Sequence, residues 1–223
     1  IPIGTSNHDG RVFGRTTEGD VTGALQGIKV LEVGSYVTGP YCGMLLGDLG
    51  ADVVKVENPQ YGDPFRGWGK TALNPTFCSL NRNKRSLTLN LKKPEAKEIF
   101  LKLADGADVI IENLRAGASD GLGIGYETVR ARNPNIVYCS ISGFGSEGPY
   151  TDLPAYDTIG QAMGGLLSLL TDVEDPKPMG ISLADHLTGI FACYGVLAAL
   201  NGRHVTGEGQ HVETSLLQSI VSF

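Results

Sequence analysis

Two aspartates stand where a carboxylate can be put to chemical use. Asp185 precedes the apolar-periodic run Leu187 to Leu200, and Asp157 follows Pro154-Ala155-Tyr156 at the start of another helical pattern. Aspartate in such a place is a common helix cap, its oxygen accepting free N–H groups of the first turn. The same place suits a nucleophile, because the helix dipole and those N–H groups favour the ionised form and lower the expected pKa. From spacing alone the cap reading of Asp185 is favoured, and the functional reading is compatible with it.

Positive charge is the second chemical signal. Asn81-Arg82-Asn83-Lys84-Arg85-Ser86 is a basic cluster ahead of a predicted strand, which by itself reads as a solvated loop. Lys92 and Arg115 close two predicted strands, and Thr38 and Ser142 follow two others. Ligands of open α/β sheets gather at the carboxyl ends of the strands, so these residues point to an anion site there. Gly143-Phe144-Gly145-Ser146-Glu147-Gly148 is a literal GxGxxG after a predicted strand. A dinucleotide fingerprint must open a helix, whereas Pro149 and a turn-rich stretch to Pro154 follow here, so classical NAD binding is disfavoured.

The elements that must position these groups alternate. Short β-branched runs at 28–33, 52–56, 86–91, 109–111 and 136–141 are separated by helix-period segments, the pattern of parallel βαβ units. Tyr41 to Leu49 has helical spacing, and Pro94 opens an amphipathic helix with Ala96, Ile99, Phe100, Leu103 and Ala104 expected on its inner face. Tyr126 to Arg132, Thr158 to Leu170 and His186 to Asn201 read as further helices, and another is expected to begin near Glu213. Asn58 to Pro75 has no clear period and reads as a long functional loop.

Composition bounds the class. The 223 residues, 41% hydrophobic and 19% charged, suffice for one substantial core. A net charge of -6 and a pI near 5.2 argue against nucleic acid or an anionic membrane as partner. The apolar run at 190–200 is shorter than the roughly 20 residues of a bilayer span. Cys42, Cys78, Cys139 and Cys193 are widely spaced and read as four buried thiols in a reducing compartment, and no histidine pair has metal-ligand spacing. The expectations are no metal, no membrane and an intracellular place, cytoplasmic or, in a eukaryote, the mitochondrial matrix.

Read together, these segments resemble the class III CoA-transferase family, which also holds carnitine CoA-transferases and α-methylacyl-CoA racemases. The resemblance runs from Gly27-Ile28-Lys29-Val30-Leu31-Glu32 through Gly47 to Glu57 and Asn81 to Lys92, then Glu112-Asn113, Gly143-Phe144-Gly145 and Thr206 to Gln210. It implies an α/β fold: a Rossmann-like parallel sheet flanked by helices, the amino-terminal part of a two-domain protein. Residues 1–26 would be a poorly structured leader, 27–204 the large coenzyme A-binding domain, and 205–223 the start of a linker toward a smaller domain. The chain would be partial, and two copies would interlock as a homodimer.

The resemblance also implies roles. Asp185, in Gly180-Ile181-Ser182-Leu183-Ala184-Asp185, matches the family's nucleophile. Coenzyme A, a substrate rather than a tightly bound cofactor, would be held by Val37 and Thr38, by Leu89, Asn90 and Lys92, by Asn113, Leu114 and Arg115, and by Ser142 and Gly143. Asn58 and Ser142 stand where several members carry Arg and Lys, so the phosphates would be gripped differently here. Attack by Asp185 on an acyl-CoA would give an aspartyl anhydride that an acceptor carboxylate opens or exchanges with. The rivals are a racemase, although Tyr156 stands where racemases place a histidine, and a non-catalytic coenzyme A-binding protein.

Overall fold

The computed structural model describes residues 23–68 and 74–223. Strand β1 (Lys29–Val33) leads through helix α1 (Thr38–Asp48) to β2 (Asp52–Glu57). A 3-10 turn at Pro64–Gly67 and the short helix α2 (Pro75–Leu80) precede β3 (Lys84–Thr88), α3 (Pro94–Ala104) and β4 (Val109–Glu112). Then come α4 (Ala118–Leu122), α5 (Tyr126–Arg130), β5 (Val137–Ser142), α6 (Asp157–Met163), α7 (Leu166–Leu170), α8 (Leu183–Thr206), β6 (His211–Ser215) and α9 (Leu216–Ser222).

The strands form one sheet of order β3-β2-β1-β4-β5-β6, and every pairing is parallel. Successive side chains of a strand point to opposite faces, and the apolar runs fill both. Val30, Val53, Val109, Ile111, Val137 and Cys139 pack on one side with Cys42 and Leu46 of α1 and Ala192, Val196 and Leu200 of α8. Leu31, Val33, Ile110 and Tyr138 pack on the other with Phe100, Leu101 and Ala104 of α3. The Rossmann-like parallel sheet flanked by helices, expected from the alternating pattern, is present.

Several local expectations need correction. His211–Ser215, read as linker and as the start of a helix near Glu213, is the sixth strand, and the helix begins only at Leu216. The single helix expected over Thr158 to Leu170 is two, because Gly165 takes a left-handed φ of 83° and a side chain at Gly164 would lie 2.3 Å from Ile220 of α9. On α3 the inner face is Phe100, Leu101 and Ala104, while Ile99 and Leu103 are exposed. β3 begins two residues earlier than expected, at Lys84. Cys42, Cys139 and Cys193 are buried as expected, but Cys78 is exposed.

The apolar run at 190–200 belongs to the 24-residue helix α8, which by length and composition alone could cross a bilayer. Here it is a core helix, packed on α1, β5, β6 and α9. Gly189 makes the crossing with α1 possible, since a Cβ there would meet the Tyr41 ring at 2.9 Å and the Thr38 carbonyl at 3.0 Å. Of the leader expected over 1–26, residues 1–22 lie outside the described residues. Leu25 is already buried in the core.

Candidate active site

The strand order reverses direction between β1 and β4, and the turns leaving these two strands part around a cleft, the usual ligand position of such sheets. A cavity of about 410 Å³ opens there. Its wall is made by Ser35 to Thr38 after β1, Asn113 to Ala116 after β4, and Ile141 to Gly143 at the end of β5. Thr151 to Tyr156 close one side, and Asp185 reaches in from the first turn of α8. Val37, Thr38, Asn113, Leu114, Arg115, Ser142, Gly143 and Asp185, named from the sequence, are thus brought to one cavity.

Asp185 is the third residue of α8, not its cap. The capping duty falls on Asp157, whose Oδ1 accepts the Asp185 backbone N–H at 3.1 Å, while Gln161 Nε2 donates to its Oδ2. Both aspartates therefore sit at helix starts, but their roles are divided. Their electrostatics also reverse the expectation of a lowered pKa. Burial, and then the nearby negative charge of Asp157, push the Asp185 carboxyl up to about 7. No lysine or arginine among the described residues offsets these two effects, so desolvation of the anion outweighs the helix terminus.

The remaining residues named from the sequence, Leu89, Asn90 and Lys92, line an adjoining cavity of about 300 Å³ with Asn58, Tyr61, Gly62 and Asp63. Ser35 and Leu114 line both cavities, so the two adjoin along the strand ends. Lys92 and Arg115 are exposed and have no ion-pair partner among the described residues, leaving both cations available to an anion. Ser142 Oγ accepts the Gly145 N–H at 2.9 Å. Gly143 has no room for a side chain, because a Cβ there would lie 2.4 Å from that of Ala155.

Two sequence assignments change character. Asn113 Nδ2 donates to the Ser35 carbonyl and to Thr38 Oγ1, each at 2.8 Å, and its Oδ1 accepts the Ser35 N–H at 2.9 Å. Its amide thus holds the turn after β1 rather than facing a ligand with free hydrogen-bonding groups. The basic cluster forms no anion site. Arg82 pairs with Asp48, Arg85 with Asp52, and Lys84 is buried against Glu32, and none of the three basic residues lines either cavity. A cation whose charge is already matched by a carboxylate has little left for a phosphate.

Sequence reasoning missed Ser35 and Tyr36, which wall the cavity. Tyr36 takes a left-handed φ of 63°, uncommon for a residue with a side chain. The sequence carries no glycine or asparagine at that position to announce it. The Thr151 to Tyr156 segment was legible only as a turn-rich stretch.

The family model for CoA-transferase family III matches residues 25–223. The chain is 41% identical over 204 residues to a succinate–glutarate CoA-transferase of Agrobacterium fabrum, covering 86% of this chain and 51% of that protein. It is 40% identical to the succinyl-CoA:glutarate CoA-transferase of Mus musculus, over 89% of this chain and 46% of the relative. A crystal structure of a CaiB/BaiF family protein from Brucella suis superposes with a TM-score of 0.84 at 38% identity, covering 90% of this chain and 55% of that one. The chain therefore spans about half the length of the curated relatives it matches. On the strength of this match, made over nearly all the described residues, the chain belongs to CoA-transferase family III.

Proposed function

We propose that the protein of which this chain is part transfers coenzyme A from an acyl-CoA donor to a carboxylic acid, with Asp185 as nucleophile. One observation carries the reading: a half-buried carboxylate with no cationic partner among the described residues projects into a cleft at the strand ends that, with the adjoining cavity, carries Lys92 and Arg115, which are unpaired among those residues. A structural aspartate would be paired or exposed. This one is desolvated and open to a ligand.

The chemistry follows from that placement. The ionised Asp185 attacks the thioester carbonyl; a C–O bond forms, the C–S bond breaks, and coenzyme A thiolate leaves. The product is a mixed anhydride on Asp185. The acceptor carboxylate attacks the aspartyl carbonyl and displaces the donor acid. The thiolate then attacks the new acyl carbon, forming the product thioester and freeing Asp185. Succinyl-CoA and a small dicarboxylate are the donor and acceptor suggested by the relatives' names. The reading includes a homodimer, supported by the exposed Ile190, Phe191 and Tyr194 on the outer face of α8.

A racemase would need a second acid/base opposite Asp185. Tyr156, at the place where the resemblance puts a histidine in racemases, lines the cavity, and no histidine does so among the described residues. Incubation with an acyl-CoA followed by hydroxylamine should leave a hydroxamate on the peptide containing Asp185. A label on Asp157, or none during active turnover, would sink the assignment.

A further inference from the structure

Beneath the adjoining cavities lies a group of charges that the proposed chemistry does not use. Glu32 of β1 and Lys55 of β2 are register partners in the sheet, both almost wholly buried, and Lys55 Nζ lies 2.7 Å from Glu32 Oε1. Lys84 of β3 reaches the other oxygen of Glu32 at 2.7 Å. Asp63, from the loop after β2, meets Lys55 at 2.9 Å. Two cations face two anions, so the group is neutral as a whole. Even the helix above is shaped to it, since a Cβ at Gly43 of α1 would lie 2.2 Å from Glu32 Oε2.

Stability alone is a poor reason for such a group. Desolvating paired charges costs about as much as their attraction returns, and apolar residues of similar volume often serve a core as well or better. What charges supply that apolar residues do not is direction. The Lys55 ammonium meets three different parts of the chain: it donates hydrogen bonds to Glu32 in the strand and to the Gly34 carbonyl at 2.7 Å in the turn after β1, and it forms an ion pair with Asp63 in the loop after β2. Lys84 adds the Pro40 carbonyl at the start of α1, 2.6 Å away, and Asn81 Oδ1 at 2.9 Å.

Asp63 completes the tie. Its Oδ1 accepts the Phe65 N–H at 2.9 Å, starting the 3-10 turn, and the N–H of Tyr36 at 3.2 Å. Tyr36 is the residue held in the left-handed region, where a side chain is disfavoured and the conformation persists only if the surroundings impose it. The turn at 34–36 stands between the cavity that holds Asp185 and the one lined by Asn90 and Lys92, with Ser35 in both walls.

We propose that Glu32, Lys55, Asp63 and Lys84 form a positioning cluster that fixes the turn after β1 against the loop after β2, so that a ligand spanning both cavities lies in line with Asp185. The inference rests on the reading that the adjoining cavities take an acyl-CoA. Glu32, Lys55 and Lys84 line neither cavity and act through the groups they hold, whereas Asp63, which lines the second cavity, also holds the Tyr36 N–H.

The test uses the protein expressed from its complete gene. Coenzyme A affinity is measured by calorimetry and acyl-CoA transfer by steady-state kinetics, well below the melting temperature of every variant. Lys55→Met removes the central donor. Asp63→Asn is the milder change, keeping an oxygen for the Tyr36 and Phe65 N–H groups while removing the charge that faces Lys55. Both variants should raise the acyl-CoA KM and the coenzyme A Kd, Lys55→Met by about tenfold or more, the scale of a lost charged hydrogen bond. The KM for the carboxylate acceptor should stay near the wild-type value.

A core variant at a residue that lines neither cavity, Leu101→Ala, controls for lost stability. At an equal or larger drop in melting temperature it should leave the acyl-CoA KM unchanged. If Lys55→Met does not fold, Asp63→Asn decides. Normal wild-type binding with undiminished affinity in the folded variants would overturn this inference alone. Absence of coenzyme A binding by the wild-type protein would overturn the reading of the site, and the inference with it.

Discussion

Two groups of carboxylates are drawn away from water in this chain, one fully buried and one half-buried, and they have been treated in opposite ways. Glu32 and Asp63 each face a lysine, and although burial pushes Glu32 up, Lys55 and Lys84 outweigh it and hold its carboxyl below the usual range. Asp185 is also largely removed from water, but its charged neighbour is another aspartate, and it is pushed up to about 7. The first arrangement removes the reactivity of a carboxylate and uses its hydrogen bonds to hold backbone. The second leaves the carboxylate poorly solvated, so that ionising it yields an oxygen ready to bond to an electrophile. The neighbouring charge, together with depth in the core, separates the scaffold carboxylates from Asp185.

The sharpest way to break that contrast is Asp185→Asn. If Asp185 is the nucleophile, transfer measured by mass spectrometry of the coenzyme A esters should fall by on the order of 10³-fold or more, since a group acting by covalent attack has no partial substitute. A variant that retains near-normal rates would reduce Asp185 to a helix residue. The scaffold side is tested by denaturant melts of Lys55→Met. Leaving Glu32 and Asp63 with an uncompensated charge in the core should cost about 3 to 5 kcal/mol. A loss below about 1 kcal/mol would mean that water or a shifted lysine replaces it.

Next in size is Lys92→Ala, which should weaken coenzyme A binding by about 1 to 3 kcal/mol if the lysine meets a phosphate. An unchanged Kd by calorimetry would remove Lys92 from the site. The smallest expected effect concerns pH. Asp185 must be ionised to attack, so the rate should rise through about pH 7, and Asp157→Asn should move that limb acidward by removing the like charge.

The same titration has a sign in stability. Because the folded pKa of Asp185 lies above the unfolded value of 3.8, the folded state binds more protons between those limits, and stability falls as pH rises from about 4 to 7. Asp185→Asn removes that cost, so its melting temperature should exceed the wild-type value at pH 8 and approach it at pH 4. Identical melting temperatures at pH 8 would show that burial does not strain the ionised carboxylate.

Much of the fold was legible because it rests on local regularities. Alternating β-branched runs and helix-period segments require parallel strands with helical crossovers; Ser142 ends β5 as expected, while Thr38, Lys92 and Arg115 lie in the segments that follow β1, β3 and β4, the last two strands ending at Thr88 and Glu112. The errors share a cause. The inner face of α3, the break at Gly164 and Gly165 and the strand at His211–Ser215 all depend on which neighbour presses on the segment. A short run such as His211-Val212-Glu213-Thr214-Ser215 becomes a strand because β5 offers it an edge. The basic cluster misled for a similar reason, since Asp48, Asp52 and Glu32, which neutralise it, lie at least 33 residues away in sequence.

By itself the sequence determined the alternation of elements, the family, and the position of a candidate aspartate at the start of a helix, because these are carried by residue type and near-neighbour spacing. Only the tertiary structure decided the state of that aspartate. It brought Asp157 from 28 residues away to cap α8 in place of Asp185, and among the described residues it set no cation beside Asp185. It likewise gathered Glu32, Lys55, Asp63 and Lys84 from three strands and a loop into one neutral group. A carboxylate's pKa depends on the water and charges within a few ångströms of it, and chain-distant residues supply those only once the fold has closed.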